Sequence, residues 1–239
     1  MNSDTATLRA FDSIPRSEVL RDRLIVGLLL LLAAVPVGAG VFRLTQLSGV
    51  GAVTVENARF FAAPTPVVLH IVGVTLYSVL GAFQFSRSYR RSGIARHRAT
   101  GWVLVVSGMV AATTGMWMTA TYDLPSYDGA LLGAMRYFFG SAMVVALVLG
   151  AIAASRREFG LHGAWMLRAY AIAMGAGTQV LTSIPLFVLP HLLNPGGRAW
   201  TMGAGWLINL AVAEWIIHRS PSLRLGRTQE GEMRTSRGK

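Results

Sequence analysis

Five histidines and no cysteines bound the chemistry open to this chain. Without thiols there are no disulfides, no Cys-ligated zinc and no iron–sulfur cluster, so any metal or haem must lean on imidazole. Two of the histidines recur in the same setting. His97 follows the run Ser86-Arg87-Ser88-Tyr89-Arg90-Arg91-Ser92-Gly93, and His162 follows Ser155-Arg156-Arg157-Glu158-Phe159-Gly160. Each stands where an apolar run begins. Imidazoles offered from two helices at equal depth can ligate a b-type haem iron axially, and arginines beside them, here Arg98 and Arg168, can pair with its propionates. The same groups could instead hold a lipid phosphate or a quinone head, or simply anchor helix ends at a membrane boundary.

A second set lies inside apolar sequence. His70 and Arg136 fall at comparable depth in two different runs, with Tyr77 and Tyr137 near them in sequence. Ionisable side chains in a bilayer cost about 2.5–3.5 kcal/mol on insertion scales, so each calls for a reason. One is a shared polar pocket opening to the outer side. Another is that Arg136 reaches the headgroups while His70 makes a packing hydrogen bond. Glu214, one turn before His218, is either a proton-relay carboxylate or a structural partner of His218 or an arginine. Arg168 reads equally as a partner for a carboxylate, and Gln84 and Gln179 as makers of interhelical hydrogen bonds.

These residues must be positioned by membrane helices. The chain is 53% hydrophobic and only 14% charged, where soluble domains carry about 25% charged residues. Apolar stretches at about 24–46, 64–86, 101–120, 130–154, 164–189 and 199–217 approach the ~20 residues that cross a bilayer core. The expected fold is therefore all-α, a polytopic bundle of about six transmembrane helices. Pro36 and Pro185 lie within spans, where proline is tolerated and bends the helix.

The net charge of +11 is explained by where the arginines sit. Eighteen of the 22 basic residues fall in the N-terminal segment, two loops and the tail, all on one side; the other side has Arg43, Arg59 and Arg198, with Arg136 inside a span. That bias predicts both termini in the cytoplasm. It argues for anionic lipid as a partner and against nucleic acid, for which no groove-reading motif is present. Residues 1–23 read as a cytoplasmic segment, 24–218 as the transmembrane domain and 219–239 as a basic tail.

The two arginine-rich hairpins also suggest an internal duplication, since His70 precedes His97 much as Arg136 precedes His162. Glycines at 101, 108 and 115 recur every seventh residue and give one helix a smooth face. Methionines at 109, 116, 118, 166 and 174 read as core filling before they read as ligands. No nucleophile elbow, phosphate loop or His-Glu-x-x-His zinc helix occurs.

The run Gly81-Ala82-Phe83-Gln84-Phe85, followed by Arg90-Arg91, His97-Arg98 and Gly101-Trp102, resembles a bacterial family of membrane proteins of unknown function. So do His162 with Trp165-Met166-Leu167-Arg168-Ala169-Tyr170, and Asn209 with Ala213-Glu214. The resemblance covers roughly residues 60–218 and implies a bacterial cytoplasmic membrane location but no activity. The arrangement is also distantly similar to the di-haem transmembrane cytochromes, which place four histidines on four successive core helices. His70, His97 and His162 would match three of these. The fourth place falls on a span holding Arg136, so the comparison implies an inner haem at His97 and His162 and not an outer one. The first functional expectation is thus a cytochrome-like electron-transfer module with haem b. The alternative is a non-redox transporter or lipid-interacting accessory protein using the ionisable groups at His70, Arg136 and Glu214.

Overall fold

A computed structural model describes residues 16–86, Tyr89 and residues 93–223, and every regular element among them is helical. In chain order these are α1 (Arg16–Thr45), α2 (Ala58–Ala62), α3 (Pro64–Gln84), α4 (Ile94–Thr121), α5 (Ala130–Ser155), α6 (Phe159–Ala173), α7 (Gly175–Thr182), α8 (Ile184–Val188) and α9 (Pro195–Arg219). The arginines expected at 9, 87, 90, 91 and beyond Leu223 lie outside the described residues, as does most of the basic tail.

The boundaries follow local chemistry. Glu18 occupies the first turn of α1 and Arg43 the last, each complementing the helix dipole. A wider turn over Gln46–Val50 ends α1, with Gly49 at φ +96°, a conformation that glycine adopts without steric cost. Pro64 opens α3 and Pro195 opens α9, where the missing N–H is no loss. Asn194 caps α9 by accepting from the Gly197 amide at 3.0 Å, as N-cap side chains do.

Helices stand at all six expected places, but they differ in apolar character. Four are long and apolar enough to cross a membrane: α1 with its terminal turn, α3, α4 and α5. A fifth span forms if α6 is counted with α7 and α8, a pair bent by 40°. The single span expected at 164–189 is therefore broken. The first break falls at Met174 and the second at Ser183, just before Pro185 in the first turn of α8. α9 has 25 residues but is not among the helices both long and apolar enough to cross.

α3 packs on α4, α4 on α5, α5 on α6, and α6 closes back onto α3. That ring of four places α4 and α6 at opposite corners. α1 lies outside it against α3 and α7, and α9 packs along α5, α6 and α7. The interior is filled by Tyr77, Leu104, Phe139, Met143, Leu147, Tyr170 and their neighbours. Small residues permit the close approaches. A Cβ at Gly108 would run into Tyr77 and Leu147, and one at Gly115 would meet His70, whereas Gly101 faces open space. Two of the three heptad glycines thus do packing work. Trp102 and Trp117 on α4, and Trp200 and Trp215 on α9, point outward from the bundle.

Candidate functional site

The two hairpin histidines occupy equivalent positions. His97 is the fourth residue of α4 and His162 the fourth of α6. Each closes its helix's first turn by donating its backbone N–H to the N-cap carbonyl, His97 to Gly93 at 3.1 Å and His162 to Glu158 at 2.9 Å. Both helices start at the arginine-rich end, so the two imidazoles share a depth on opposite corners of the four-helix ring. Their helices are not a packed pair; the bundle interior separates them. His162 is half-buried, with Nδ1 2.8 Å from the Gly150 carbonyl of α5. For that contact to be a hydrogen bond Nδ1 must carry the proton, which leaves Nε2 as the acceptor nitrogen. Gly150 matters here, since a Cβ on it would strike Met166 and press on Trp165.

Around His97 the arginine-rich end is polar and tied together. Gln84 at the end of α3 donates to the Thr100 hydroxyl, Thr100 donates to the Arg96 carbonyl at 2.8 Å, and the Tyr89 hydroxyl lies 3.3 Å from Thr100. Arg96 lies over the Tyr89 ring. Asp22 of α1 is buried and accepts from the Ser86 hydroxyl at 3.1 Å. Arg98 is exposed beside His97.

Arg168 belongs elsewhere. Its Nε and Nη2 bind the two carboxylate oxygens of Glu214 at 2.5 and 2.9 Å, and its guanidinium lies over Trp165. This bidentate pair joins α6 to α9, so Arg168 is not a propionate partner in waiting. Arg168 is the arginine partner expected for Glu214 as the alternative to His218, and Glu214 is the carboxylate expected for Arg168. The His218 ring is 2.7 Å from the Glu214 carbonyl but 3.9 Å from its carboxylate, because an i,i+4 imidazole reaches the backbone first.

The pocket expected at His70, Arg136, Tyr77 and Tyr137 does not form. His70 turns onto α4, with Nδ1 2.9 Å from the Ala111 carbonyl and 3.3 Å from the Thr114 hydroxyl. Arg136 instead reaches Asp128 at 2.5 Å, and Asp128 also binds Arg198 at 3.2 Å. A loop carboxylate bridging two arginines outcompetes a neutral imidazole for a guanidinium. Tyr77 lies deep in the core beside Tyr170, ring centroids 5.9 Å apart, and Tyr137 is exposed.

Three further residues connect the helices: Tyr170 and Asn209 stood in the quoted motifs without an assigned partner, and Gln179 makes the interhelical hydrogen bond expected of it. Tyr170 donates to the Ser78 carbonyl at 2.8 Å and packs on Phe85 at 4.8 Å; a Cβ at Gly81 would overlap its ring. Asn209 of α9 donates to the Ala171 carbonyl at 3.2 Å, beside the break after α6, and accepts from Thr178 at 2.7 Å. Gln179 donates across to the Met202 carbonyl at 3.0 Å.

Among the described residues no group of three or more His, Cys, Asp or Glu side chains is placed to hold a bare metal ion. A haem asks less, namely two axial nitrogens and a cleft. The fit would rest on His162, whose anchored Nδ1 leaves Nε2 as the ligating nitrogen, and on His97 at the matching register of α4, with the packed side chains of the interior between their helices. It fails at Arg168. No curated protein and no solved structure is similar to the chain at a significant level. The motifs quoted above, Gly81 to Phe85, His97-Arg98, His162 to Tyr170 and Asn209 to Glu214, all lie within residues 67–217, the stretch matched by a family described as a predicted membrane protein (DUF2306), and the chain belongs to that family.

Proposed function

We propose that this protein is an electron-transfer module of the bacterial cytoplasmic membrane that holds one b-type haem between His97 and His162. The observation that carries the reading is the equivalence of the two histidines: fourth residues of parallel helices at opposite corners of a four-helix ring. When bound, the haem would supply a one-electron iron couple. The chain's own residues would do the rest. Gly150 lets α6 approach and its carbonyl holds the His162 tautomer. Arg98 is left to face the propionates. Phe85, Tyr170 and Tyr77 pack the interior and keep water from it. The arginine-rich end would face the cytoplasm. Its exposed Arg21, Arg23, Arg96, Arg98, Arg156, Arg157 and Arg219 would meet anionic headgroups, each worth about 1 kcal/mol near the surface.

The test is an absorption spectrum of detergent-purified protein expressed with added haem precursor, oxidised and then dithionite-reduced. The expected result is the reduced-minus-oxidised pattern of six-coordinate b haem, lost in His97→Ala and in His162→Ala. A colourless wild-type protein under full haem supply rejects the proposal.

A second reading rests on the Arg168–Glu214 pair. Glu214 keeps 38% of its side chain exposed within α9, so a non-redox transport or lipid-handling role would use that carboxylate and not a His70–Arg136 pocket. Loss of a transport or fitness phenotype in Glu214→Gln, with no haem in the wild type, is what this reading requires.

A further inference from the structure

Two arginines at the end of the bundle opposite the arginine-rich loops are not spent on carboxylates. Arg43 stands in the last turn of α1 and Arg59 in α2, and their Cζ atoms lie 4.4 and 4.7 Å from the centroid of the same ring, Phe60. The two charges are therefore within about 9 Å of each other, inside the ~10 Å Debye length of 0.1 M salt. Arg43 donates to Gln46 Oε1 at 2.6 Å, and Arg59 to the Asp123 carbonyl at 3.2 Å. Both acceptors are neutral. A guanidinium carries five N–H donors, so each arginine keeps most of its fork unused.

Among the described residues no carboxylate lies within ion-pair distance of either side chain. The nearest acids along the chain are engaged differently. The Thr54 hydroxyl, and then its own backbone amide, hold the Glu56 carboxyl below the usual carboxylate range, and Asp123 offers Arg59 its backbone oxygen. The bland explanation is a double cation–π contact. It falls short, because a ring face attracts a cation but neither cancels the repulsion between two of them nor accepts their hydrogen bonds. Something anionic would satisfy both requirements at once.

We infer that Arg43 and Arg59 together bind one phosphate group, with Phe60 as the platform that holds the two guanidinium groups in place. Two planar forks arriving from different helices match the tetrahedral oxygens of a phosphate better than the two coplanar oxygens of a carboxylate. Both arginines stand at helix ends, so a phospholipid headgroup and a free phosphate are the two sources of that chemistry. The site is independent of the haem reading, and its residues share no contact with His97 or His162.

The experiment uses the full chain in detergent. Native mass spectrometry follows retention of added phosphatidylglycerol, and thermal unfolding is followed with inorganic phosphate against chloride at equal ionic strength. The wild type should retain phosphatidylglycerol, or be stabilised by phosphate, about tenfold better than R43Q/R59Q, the scale of losing bidentate charge-assisted contacts. Retention of lipid without a phosphate effect identifies a headgroup site; a phosphate effect identifies a site for the free anion. Equal behaviour of wild type and variant in both assays overturns the inference. Should the double variant fail to fold, R59Q alone carries the same comparison, since it leaves the Arg43–Gln46 contact intact.

Discussion

At the scale of single residues, the structure turns on a few exclusive contacts. Arg168 and Glu214 hold each other through two hydrogen bonds while each stays partly exposed, 22% and 38%. Such a pair falls between exposed pairs, worth about 0–1 kcal/mol, and buried ones, whose disruption costs about 3–5 kcal/mol. Glu214→Gln is expected to lower stability by about 1–2 kcal/mol, and the double change R168M/E214Q by no more than the single one. Chemical denaturation in detergent measures both, and strict additivity would show that the pair is not coupled. Tyr170 offers a sharper case. Gly81→Ala pushes a methyl into its ring and should cost about 1–3 kcal/mol, as overpacking does. In a Tyr170→Leu background that cost should largely vanish. The chemistry-bearing residues themselves were legible, because histidine, arginine and glutamate in apolar sequence are conspicuous. Their partners were legible by kind, as for Arg168 with a carboxylate and Gln179 across helices, but not by identity. Arg136 finds Asp128, and His70 finds a backbone carbonyl, because contacts depend on which helix faces meet, and seven-residue spacing says nothing about that.

At the scale of elements, turns and breaks decide where side chains arrive. The α5–α6 turn is closed by Glu158 N–H on the Ala153 carbonyl at 2.9 Å, with Arg157 at φ +62°. A non-glycine residue in the left-handed region is costly, so Arg157→Gly is expected to stabilise by about 0.5–1 kcal/mol. A raised thermal midpoint with His162 unaltered is the readout; no change would mean that the turn relaxes freely. The broken fifth span is the element that sequence hid most completely. Its run over 164–189 is apolar enough to pass for one helix, yet Gly177 lets the Leu32 backbone of α1 approach so closely that a Cβ there would overlap it. Gly177→Ala should therefore separate α1 from α7 and cost several kcal/mol, more than any other glycine on that segment. Asn209 answers the same break by donating to Ala171. It belonged to a motif, but its task appears only once α9 lies against α6.

At the scale of the whole molecule, the all-α bundle was legible because composition and long apolar runs dictate it, and the number of crossings was not. α9 carries Arg198, Glu214 and Arg219 on a helix rich in glycine and tryptophan, and falls below the apolar character of the other spans while packing along three of them. The absence of cysteine makes this testable with little disturbance. Single cysteines at Gly196, in the first turn of α9, and at Ser222, beyond its last residue, should react with a membrane-impermeant thiol reagent from opposite faces of sealed vesicles if the helix crosses. Labelling of both from one face would reduce the protein to five crossings and place the termini on opposite sides.

The outward tryptophans carry one more consequence. On α4 they are 102 and 117, on α9 200 and 215, in each helix fifteen residues apart. At 1.5 Å per residue that is about 22 Å, against a hydrocarbon core of about 30 Å. Indole rings favour the interface, so two helices independently set the same short ruler. If both helices cross, that spacing predicts a match to a thin bilayer. In lipids with long acyl chains the protein would have to compress its surroundings, a mismatch costing fractions of a kcal/mol per Å. Its thermal stability should then peak in short-chain phosphatidylcholine and decline steadily as the chains lengthen.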